Sequence, residues 1–404
     1  MGKALKGLKV LDLSMGVAGP HAGMLCARYG ADVIKLEPLH GDWGRTLGPA
    51  QGDLSAYAAT YNRGKRSLAL DAKDERARAV LKDYAARADI IIEAFRPGVM
   101  KRFGLDYESV RAVNPGVLYL SVTGFGPSGP MSDRPATDAV MQGFSGFMNL
   151  NKDRQGLPQR VDMILIDVVT GLYAFQALSM ALLERMQTGE GTYIDCSLMK
   201  SAMAFQAPKM VDNLMGGGVQ SLYVPLGVLP SSDGFVSISV MHDHDFTALC
   251  SAIDRPDLAT NEVFNSRAKR LAAEGELMPI LYAEFAARTT EDLVQRLAKA
   301  GVRHSQVNTY PQLFQHPQVK AADALEWIQP RDMTMALPFP VIPGAPPASQ
   351  QPDGPHLGQH SLEILREWGL DVATIDQLVT SGAIYQYSKE KPPSLRGAGV
   401  KTGS

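Results

Sequence analysis

The sequence predicts an α/β protein whose main part is a parallel, doubly wound sheet, with a smaller α+β block near residues 225–320. Two observations predict the sheet: short apolar runs alternate with amphipathic segments from Leu8 to Val122, and turn residues separate them. The third observation is the length, because 404 residues exceed what one hydrophobic core usually holds and suggest about two or three domains.

The individual elements follow from local patterns. A buried strand needs a continuous apolar run between turns, whereas a helix needs apolar residues three or four positions apart. We predict strands at Leu8–Leu13, Ala31–Glu37, Ser67–Leu70, Ala88–Phe95, Leu118–Val122, Thr192–Leu198 and Phe235–Val240. We predict helices at Pro20–Tyr29, Asp74–Arg87, Tyr107–Asn114 and Ser361–Trp368, and a turn at Arg96–Gly98 that leads into Val99–Phe103.

Composition argues against several classes of partner. The chain has 40 basic and 42 acidic residues, so its charge does not indicate nucleic acid or an acidic membrane surface. Its cysteines, Cys26, Cys196 and Cys250, are scattered without metal-ligand spacing and indicate reduced thiols. No signal-peptide core follows Met1, and no apolar run approaches the ~18 residues of a membrane span. We therefore expect a cytoplasmic protein that uses no membrane.

The stretch from Gln159 to Lys200 contains the strongest candidate site residue. The apolar run Met163–Ile166 predicts a buried strand that stops at Asp167, and a long apolar helix follows. Asp167 would then lie at a helix N-terminus, where the helix dipole favours the ionised carboxylate. Ligands bind at this edge of parallel sheets, but a carboxylate there can also be a simple N-cap. Both interpretations stay open on local pattern alone.

Two other patterns concern charge. Seven basic residues follow or precede predicted strands, and together on one rim they would indicate a phosphate-bearing ligand. They are Lys35, Arg63, Lys65, Arg66, Lys73, Arg96 and Arg102. The run His242–Asp245 is too short for a tetrahedral metal site without a distant partner, so we interpret it as a helix cap or surface feature and predict no metal.

A dinucleotide site is a weaker alternative at the start of the chain. The order strand, turn, helix and strand would suit it, with Glu37 as the acid that binds the ribose. The glycines at 16, 19 and 23 have the spacing G-x-x-G-x-x-x-G, however, whereas the dinucleotide fingerprint is G-x-G-x-x-G.

Several segments, in order, resemble the class III CoA-transferases, the CaiB/BaiF family. Any single segment is a weak match, but the ordered set covers nearly the whole chain. The segments are G-L-K-V-L-D-L-S at 7–14, A-G-P at 18–20, G-A-D-V-I-K-L-E at 30–37, N-R-G-K-R-S-L-A-L-D at 62–71, A-D-I-I-I-E-A-F-R-P-G at 88–98, S-V-T-G-F-G-P-S-G-P at 121–130, Q-G-F-S-G at 142–146, T-G-E-G at 188–191 and L-G-Q-H at 357–360.

The resemblance implies a chemistry centred on Asp167. The matching aspartate of the family attacks an acyl-CoA, so the expected activity is an acyl-CoA:carboxylate CoA-transferase that forms aspartyl mixed-anhydride and aspartyl-CoA thioester intermediates. Coenzyme A thioester is then a substrate, and no permanently bound cofactor is implied. The implied CoA-binding residues are Gly16, Val17, Leu70, Lys73, Arg96 and Arg102. A loop containing Gly216, Gly217 and Gly218 would face the substrate.

The resemblance also implies an architecture. The family folds as a Rossmann-like large domain, built from N- and C-terminal parts, with a smaller inserted domain, and two chains interlock as rings in a homodimer. We place the large domain at 1–200, a linker at 201–224, the small domain at 225–325 and the return to the large domain at 326–388. We expect residues 389–404 to form a disordered tail.

Two alternatives share this fold. An α-methylacyl-CoA racemase needs a second acid/base, which in racemases is a His-Asp pair before the segment that matches Q-G-F-S-G. This chain has Thr137-Asp138 there, which disfavours the racemase because threonine is not a base near neutral pH. The other alternative is a paralogue that binds CoA esters without turnover. Departures from formyl-CoA transferase at Pro38, Ala94, Thr123 and Phe125 put the identity of the acyl group in doubt.

Overall fold

The computed structural model describes residues 3–153, 155–217, 222–390 and 395. The chain divides into two compact units. The first combines Met1–Lys209 with Asp323–Ser404, and the second is Met210–Ala322.

The described residues form the following strands and helices. The strands are β1 (Lys9–Asp12), β2 (Asp32–Glu37), β3 (Ala50–Gln51), β4 (Leu54–Ser55), β5 (Arg66–Leu70), β6 (Ile90–Glu93), β7 (Leu118–Thr123), β8 (Thr192–Ser197), β9 (Leu226–Pro230), β10 (Phe235–Ser239), β11 (Arg303–Gln306), β12 (Leu325–Ile328), β13 (Leu337–Pro340) and β14 (Ile384–Tyr385). The helices are α1 (Ala18–Arg28), α2 (Ala56–Tyr61), α3 (Glu75–Ala85), α4 (Val99–Phe103), α5 (Tyr107–Arg111), α6 (Asp138–Phe144), α7 (Phe147–Leu150), α8 (Leu165–Thr188), α9 (Leu198–Phe205), α10 (Ala207–Leu214), α11 (Asp243–Ala252), α12 (Pro256–Thr260), α13 (Arg267–Ala272), α14 (Glu274–Ala286), α15 (Thr290–Lys299), α16 (Tyr310–Gln315), α17 (Pro317–Ala321), α18 (Ser361–Glu367) and α19 (Val372–Thr380). Short 3₁₀ helices lie at Trp43–Thr46 and Ala348–Gln350.

The first unit is built on a seven-stranded sheet in the order β14-β5-β2-β1-β6-β7-β8. Six of these strands are parallel, and β14 pairs antiparallel with β5 at the edge. The predicted parallel α/β sheet is therefore confirmed. The edge strand β14 was missed because two residues are too few for a periodic signal.

Both faces of this sheet are covered, which explains why its strands are apolar at nearly every position. One face carries residues such as Leu11 and Ile91 and packs against α3, α18 and α19. The other face carries residues such as Val10 and Ile90 and packs against α1 and α8. Alternating residues of one strand thus enter two different cores.

Helices α1 and α8 both begin at the edge of the sheet where the parallel strands have their carboxyl ends. Helix α1 follows β1 directly, so it begins at the carboxyl edge of the sheet. Helix α8 precedes β8, which is parallel to its neighbour β7, so α8 also begins at this edge. Ligands of open α/β sheets bind outside this edge.

The second unit has its own core. Strands β9, β10 and β11 form an antiparallel sheet, and helices α11, α14 and α15 pack against it around residues such as Phe246 and Phe285. The predicted capping role of His242–Asp245 is confirmed, because His242 precedes α11 and its N–H donates to Asp245 Oδ2 at 3.0 Å.

One prediction about local structure was wrong. Met163–Ile166 is not a strand: Met163 is exposed and α8 begins at Leu165, because a four-residue apolar run before a helix can be its first turn. The segment 201–224, predicted as a linker, contains most of α9 and all of α10, and its role as a linker stays a prediction. Of the expected tail at 389–404, most residues lie outside the described part of the chain.

Helix α8 is the only helix of the described residues that is long and apolar enough, by length and composition, to cross a membrane. Its most apolar window has a mean hydropathy of 1.6, and 39% of that window is buried. Long core helices of soluble proteins meet the same criteria, and one side of α8 lies in the core with α1. The expectation that no segment is this apolar overlooked α8, because Asp167 and Gly171 interrupt its apolar run.

A network of buried charges lies inside the first unit, below the carboxyl edge. Both oxygens of Glu37 accept hydrogen bonds from Arg45, at 2.6 and 2.7 Å, and Arg45 Nη1 also reaches Asp53 Oδ2 at 3.3 Å. Lys35 pairs with Asp42 at 2.9 Å, and Lys65 pairs with Asp12 at 2.7 Å. These charges are paired and hydrogen-bonded, which is what makes their burial tolerable.

This network corrects the prediction of a basic rim. Lys35 and Lys65 are fully buried in ion pairs, and Arg63 is bound by Asp353 and backbone carbonyls. Arg66 pairs with Asp32, Glu363 and Glu367 at the opposite end of β5. Only Lys73, Arg96 and Arg102 of the seven stay exposed. The sequence could not show the pairing, because most partner carboxylates are distant in the chain.

The network predicts the effect of Arg45→Met. The substitution leaves Glu37 and Asp53 buried without their cation, so unfolding in urea should become easier by about 3–5 kcal/mol. The fluorescence of Trp368, which stacks on Tyr84 in the core, reports on this unit.

The matched control is Arg87→Met, which removes an exposed pair with Asp83 and should cost less than about 1 kcal/mol. Equal losses for the two variants would contradict the importance of the buried network.

Candidate active site

Asp167 is the third residue of α8 and does not cap it. The residue before the helix is Ile164, and no side chain of the helix's own first turn accepts from its free N–H groups. Asp138 does so from a distance: its Oδ2 accepts from the N–H of Ile166 at 2.6 Å and of Asp167 at 3.4 Å. The interpretation of Asp167 as an N-cap is therefore wrong, because a carboxylate 29 residues earlier occupies that role.

Gln142 extends this brace to the segment that leads into α8. Its Nε2 donates to Asp138 Oδ1 at 2.6 Å and to the carbonyls of Val161 and Met163 at 3.3 and 3.2 Å. Its Oε1 accepts from Val161 N–H at 2.9 Å. The start of α8, and with it Asp167, is thus fixed by two side chains of α6.

The environment of Asp167 makes its carboxyl a weak acid. Burial, and to a smaller extent the nearby charge of Asp138, raise the pKa of Asp167 to about 7. The expectation that the helix N-terminus would favour the ionised form is not met, because burial of the carboxyl raises its pKa. At neutral pH this carboxyl therefore exists in both protonation states.

A histidine and a tyrosine stand beside Asp167. His21, in the first turns of α1, places Nδ1 3.2 Å from the carbonyl oxygen of Val168, and its ring lies 5.0 Å from that of Tyr61. Burial lowers the pKa of His21 to about 4, so the ring is neutral near pH 7. Burial and the charges of Tyr57 and Asp167 raise the pKa of Tyr61 to about 12.

Close packing of α1 on α8 requires Gly171. A Cβ at Gly171 would lie 2.6 Å from His21 Nδ1 and 2.7 Å from its Cβ. The glycine thus lets the two helices approach where His21 meets Val168, immediately after Asp167.

The turn before α1 borders the same edge. Gly16 has a φ of +84°, and its N–H donates to Asp42 Oδ1 at 2.8 Å. Val17, the residue before α1, is buried. Asp42 also accepts from Gly44 N–H, so it joins this turn to the short helix at 43–46.

A cavity of about 410 Å³ opens at the carboxyl ends of β1, β2 and β5. Its wall is mostly apolar and includes Leu13, Leu36, Leu70, Phe95 and Met100, and Lys73 lies among its lining residues. Met15, next to Gly16, lines it as well. Such an apolar cleft with a few polar groups is typical of a small-molecule site.

The predicted CoA-binding residues are distributed around this edge. Leu70 and Lys73 line the 410 Å³ cavity, whereas Arg96 lines a neighbouring one of about 230 Å³. Arg102 is exposed near the end of α4. Gly16 and Val17 line neither cavity and form the turn described above.

The predicted glycine loop lies in the other compact unit. Gly216 and Gly217 follow α10, and Gly217 N–H donates to the carbonyl of Asp212 at 2.9 Å. Gly218 lies outside the described residues. That this loop faces the substrate stays a prediction.

Sequence reasoning missed the support around Asp167. Asp138 was noted only in the comparison of Thr137-Asp138 with the His-Asp pair of racemases. An acidic residue at the start of a helix that precedes α8 could have suggested that it caps α8. Glu37 was considered as a ribose ligand, but both its oxygens are bound by Arg45. Within the described residues no group of three His, Cys, Asp or Glu side chains could hold a metal ion.

Comparison with known proteins identifies the family of this chain. The profile of the family described as CoA-transferase family III matches residues 5–361. The chain is 32% identical to succinyl-CoA:glutarate CoA-transferase of Homo sapiens over 95% of this chain and 91% of that protein. It is 34% identical to acetyl-CoA:oxalate CoA-transferase of Acetobacter aceti over 87% of this chain and 90% of that protein. A CaiB/BaiF family protein from Brucella suis superposes with a TM-score of 0.80 at 33% identity, covering 91% of this chain and 100% of that structure.

Fold and sequence together define a transferase that uses coenzyme A thioesters. This chain belongs to CoA-transferase family III.

The raised pKa of Asp167 predicts how stability depends on pH. Between the ordinary value of 3.8 and about 7, the folded protein binds a proton at Asp167 that the unfolded chain does not, so this residue lowers stability as pH rises through that range. Asp167→Asn removes the penalty and should be more stable than wild type at pH 8, by on the order of 4 kcal/mol, and similar near pH 4.

Urea unfolding of both proteins at the two pH values measures this difference. Asp138→Asn, which removes the neighbouring charge and keeps an oxygen for the helix cap, should reduce the pH dependence in part. Parallel pH dependence in wild type and Asp167→Asn would contradict the raised pKa.

Proposed function

We propose that the chain moves CoA between an acyl-CoA thioester and a free carboxylic acid, with Asp167 as the covalent nucleophile. The observation that carries the proposal is a buried carboxyl, positioned by Asp138, at the edge of the sheet where an apolar cavity opens. The relatives named for glutarate and oxalate support short dicarboxylic acids as acceptors, and succinyl-CoA as a donor.

The proposed reaction has four steps that balance without a co-reactant. The Asp167 carboxylate attacks the thioester carbonyl, a C–O bond forms, and CoA leaves as a thiolate. The thiolate attacks the aspartyl carbonyl of this anhydride and releases the first acid as a carboxylate. The acceptor carboxylate then attacks the aspartyl-CoA thioester and expels the thiolate again. Finally the thiolate attacks the acceptor's acyl carbon, which gives the new acyl-CoA and restores Asp167.

The environment of Asp167 suits this role. A carboxylate whose pKa is near 7 is more basic than an ordinary one, while a useful fraction is still ionised at neutral pH. Burial also keeps water from the anhydride and thioester, which would otherwise be hydrolysed. His21 is neutral near pH 7, so it carries no positive charge that would pair with the Asp167 carboxylate.

The cavities at this edge support the predicted CoA site. The apolar wall around Leu70 suits the adenine and pantetheine parts, and the exposed cations Lys73, Arg96 and Arg102 suit the phosphates. In this proposal the turn at Gly16 and Val17 leads the thioester toward Asp167.

The two alternatives lack support from the site. A racemase would need a base at Thr137, but its hydroxyl accepts from Val140 N–H and caps α6. A binding paralogue would not need the Asp138 brace that holds Asp167 in place. We therefore retain CoA transfer as the function.

The nucleophile is tested by Asp167→Ala. Loss of the covalent route should lower the transfer rate by several orders of magnitude, on the scale of about 10³-fold or more. The fold should survive, since Asp138 and not Asp167 caps α8. Transfer from succinyl-CoA to a panel of acids, measured by mass spectrometry, gives the rate.

Trapping gives an independent readout. Wild type incubated with acyl-CoA and hydroxylamine should carry a hydroxamate at Asp167, detected in the peptide mass. Asp162→Ala, at an exposed acid five positions earlier, is the control and should behave as wild type. A folded Asp167→Ala protein with a tenth of normal turnover would end the covalent mechanism.

We also propose the interlocked homodimer that the family resemblance implies. Large apolar side chains on α8 are exposed in the single chain, which a partner would cover; they are Leu172, Met180, Leu183 and Met186. Because threaded chains cannot separate without unfolding, mixing tagged with untagged protein should produce no hybrids until both are denatured and refolded. A stable folded monomer in sedimentation would refute this assembly.

A further inference from the structure

We propose that Trp43 is a specificity-determining residue, whose indole forms the wall against which the acyl group of the thioester lies. This inference rests on the proposed CoA transfer at Asp167 and adds the residue that selects among acyl groups.

The first observation is the contact between Trp43 and Gly16. A Cβ at Gly16 would lie 1.9 Å from Trp43 Cζ2 and 2.5 Å from its Cη2. The indole therefore occupies the space that any side chain at position 16 would take. Nearly half of the Trp43 surface, 48%, nevertheless stays exposed. One part of the ring seals the turn, and the other part is open to a ligand.

The second observation is that hydrogen bonds fix the loop that carries this ring. Asp42 Oδ1 accepts from both Gly16 N–H and Gly44 N–H at 2.8 Å. Thr46 Oγ1 donates to the carbonyl of Trp43 at 2.9 Å, and Ser55 Oγ donates to that of Gly44 at 2.6 Å. Arg45, which follows Gly44 in this loop, is part of the buried charge network. A ring carried by a loop fixed in this way can select a ligand by shape, because its backbone is held in place before binding.

The third observation is where the contact lies along the chain. Met15, just before Gly16, lines the 410 Å³ cavity. Val17, just after it, leads into α1, whose His21 reaches the carbonyl of Val168 beside Asp167. Along the chain, the turn covered by Trp43 therefore lies between a residue that lines the cavity and the helix whose His21 contacts the start of α8. A thioester that extends from one to the other passes this turn.

An indole wall favours a particular chemistry. It offers apolar contact to the methylenes of a short, straight acyl chain and presents no cation to its far end. It also limits the width available next to Gly16, so branched and aromatic acyl groups are disfavoured. The distal carboxylate of a dicarboxylic acyl group is then bound elsewhere.

Kinetics of Trp43→Phe and Trp43→Ala test the proposal with succinyl-CoA and the bulkier benzoyl-CoA as donors. For Trp43→Ala we expect KM for succinyl-CoA to rise about tenfold, and the preference in kcat/KM for succinyl-CoA over benzoyl-CoA to fall by about tenfold or more. Trp43→Phe should be intermediate. Trp327→Ala, which removes a similarly exposed tryptophan on β12, is the control and should match wild type.

Fluorescence separates this proposal from the covalent mechanism. Trp368 is buried against Tyr84, so in a Trp327→Phe background Trp43 is the tryptophan that a ligand can reach. Succinyl-CoA should quench its emission in the presence or absence of the Asp167→Ala substitution. Quenching of the wild-type protein with no turnover of any acid in the panel would reject CoA transfer and leave the Trp43 contact standing.

Two outcomes would overturn the inference. One is an unchanged donor preference in Trp43→Ala, within twofold of wild type. The other is dissociation of the wild-type assembly in Trp43→Ala by sedimentation, which would make Trp43 an interface residue.

Discussion

The buried ion pair between Arg45 and Glu37 is the interaction on which the site's geometry depends. A guanidinium and a carboxylate are tolerated in the core only when their hydrogen bonds are satisfied, and Arg45 meets this demand with Glu37, Asp53 and the carbonyl of Pro355. Satisfying it holds the loop at 42–46 in one conformation and draws in the C-terminal segment at 355–357. Asp42 then transmits this position to Gly16, where α1 begins. The buried ion pairs and hydrogen bonds therefore fix the position of the turn beside the candidate site.

The same logic places Asp167, through a second carboxylate. Asp138 caps α8 and is braced by Gln142, so the first turn of α8 cannot move without breaking hydrogen bonds on α6. Its charge also opposes ionisation of Asp167, while burial does so more strongly. One residue therefore contributes to both the position and the acidity of the candidate nucleophile. This arrangement costs stability, as strained or desolvated groups at functional sites commonly do.

The sequence was informative where a local pattern reflects a local cause. Strands β2, β6 and β7 were predicted because both of their faces are buried, which leaves a continuous apolar run. Met163–Ile166 was misread because an apolar first turn of a helix has the same appearance. The basic rim failed for a different reason: Lys65 and Arg66 have partners in Asp12 and Glu363, and no local pattern reveals such distant pairing. Asp167 was singled out by the local pattern and its role as nucleophile came from the family resemblance, whereas the capping of α8 by Asp138 was seen only in the structure.

The residues proposed for catalysis and those proposed for acyl selection are constrained in different ways. Asp138 and Asp42 are tied to buried N–H groups, so a substitution there leaves unpaired polar groups and disturbs the backbone. Trp43 is held by the hydrogen bonds of its loop's backbone and not of its indole, so its ring can change while the loop keeps its form. Relatives of similar identity to this chain are named for different acids, glutarate and oxalate. If Asp167 is the nucleophile and Trp43 selects the acyl group, as proposed above, the interior fixes the first while the second can vary, which would let one chemistry serve several acids.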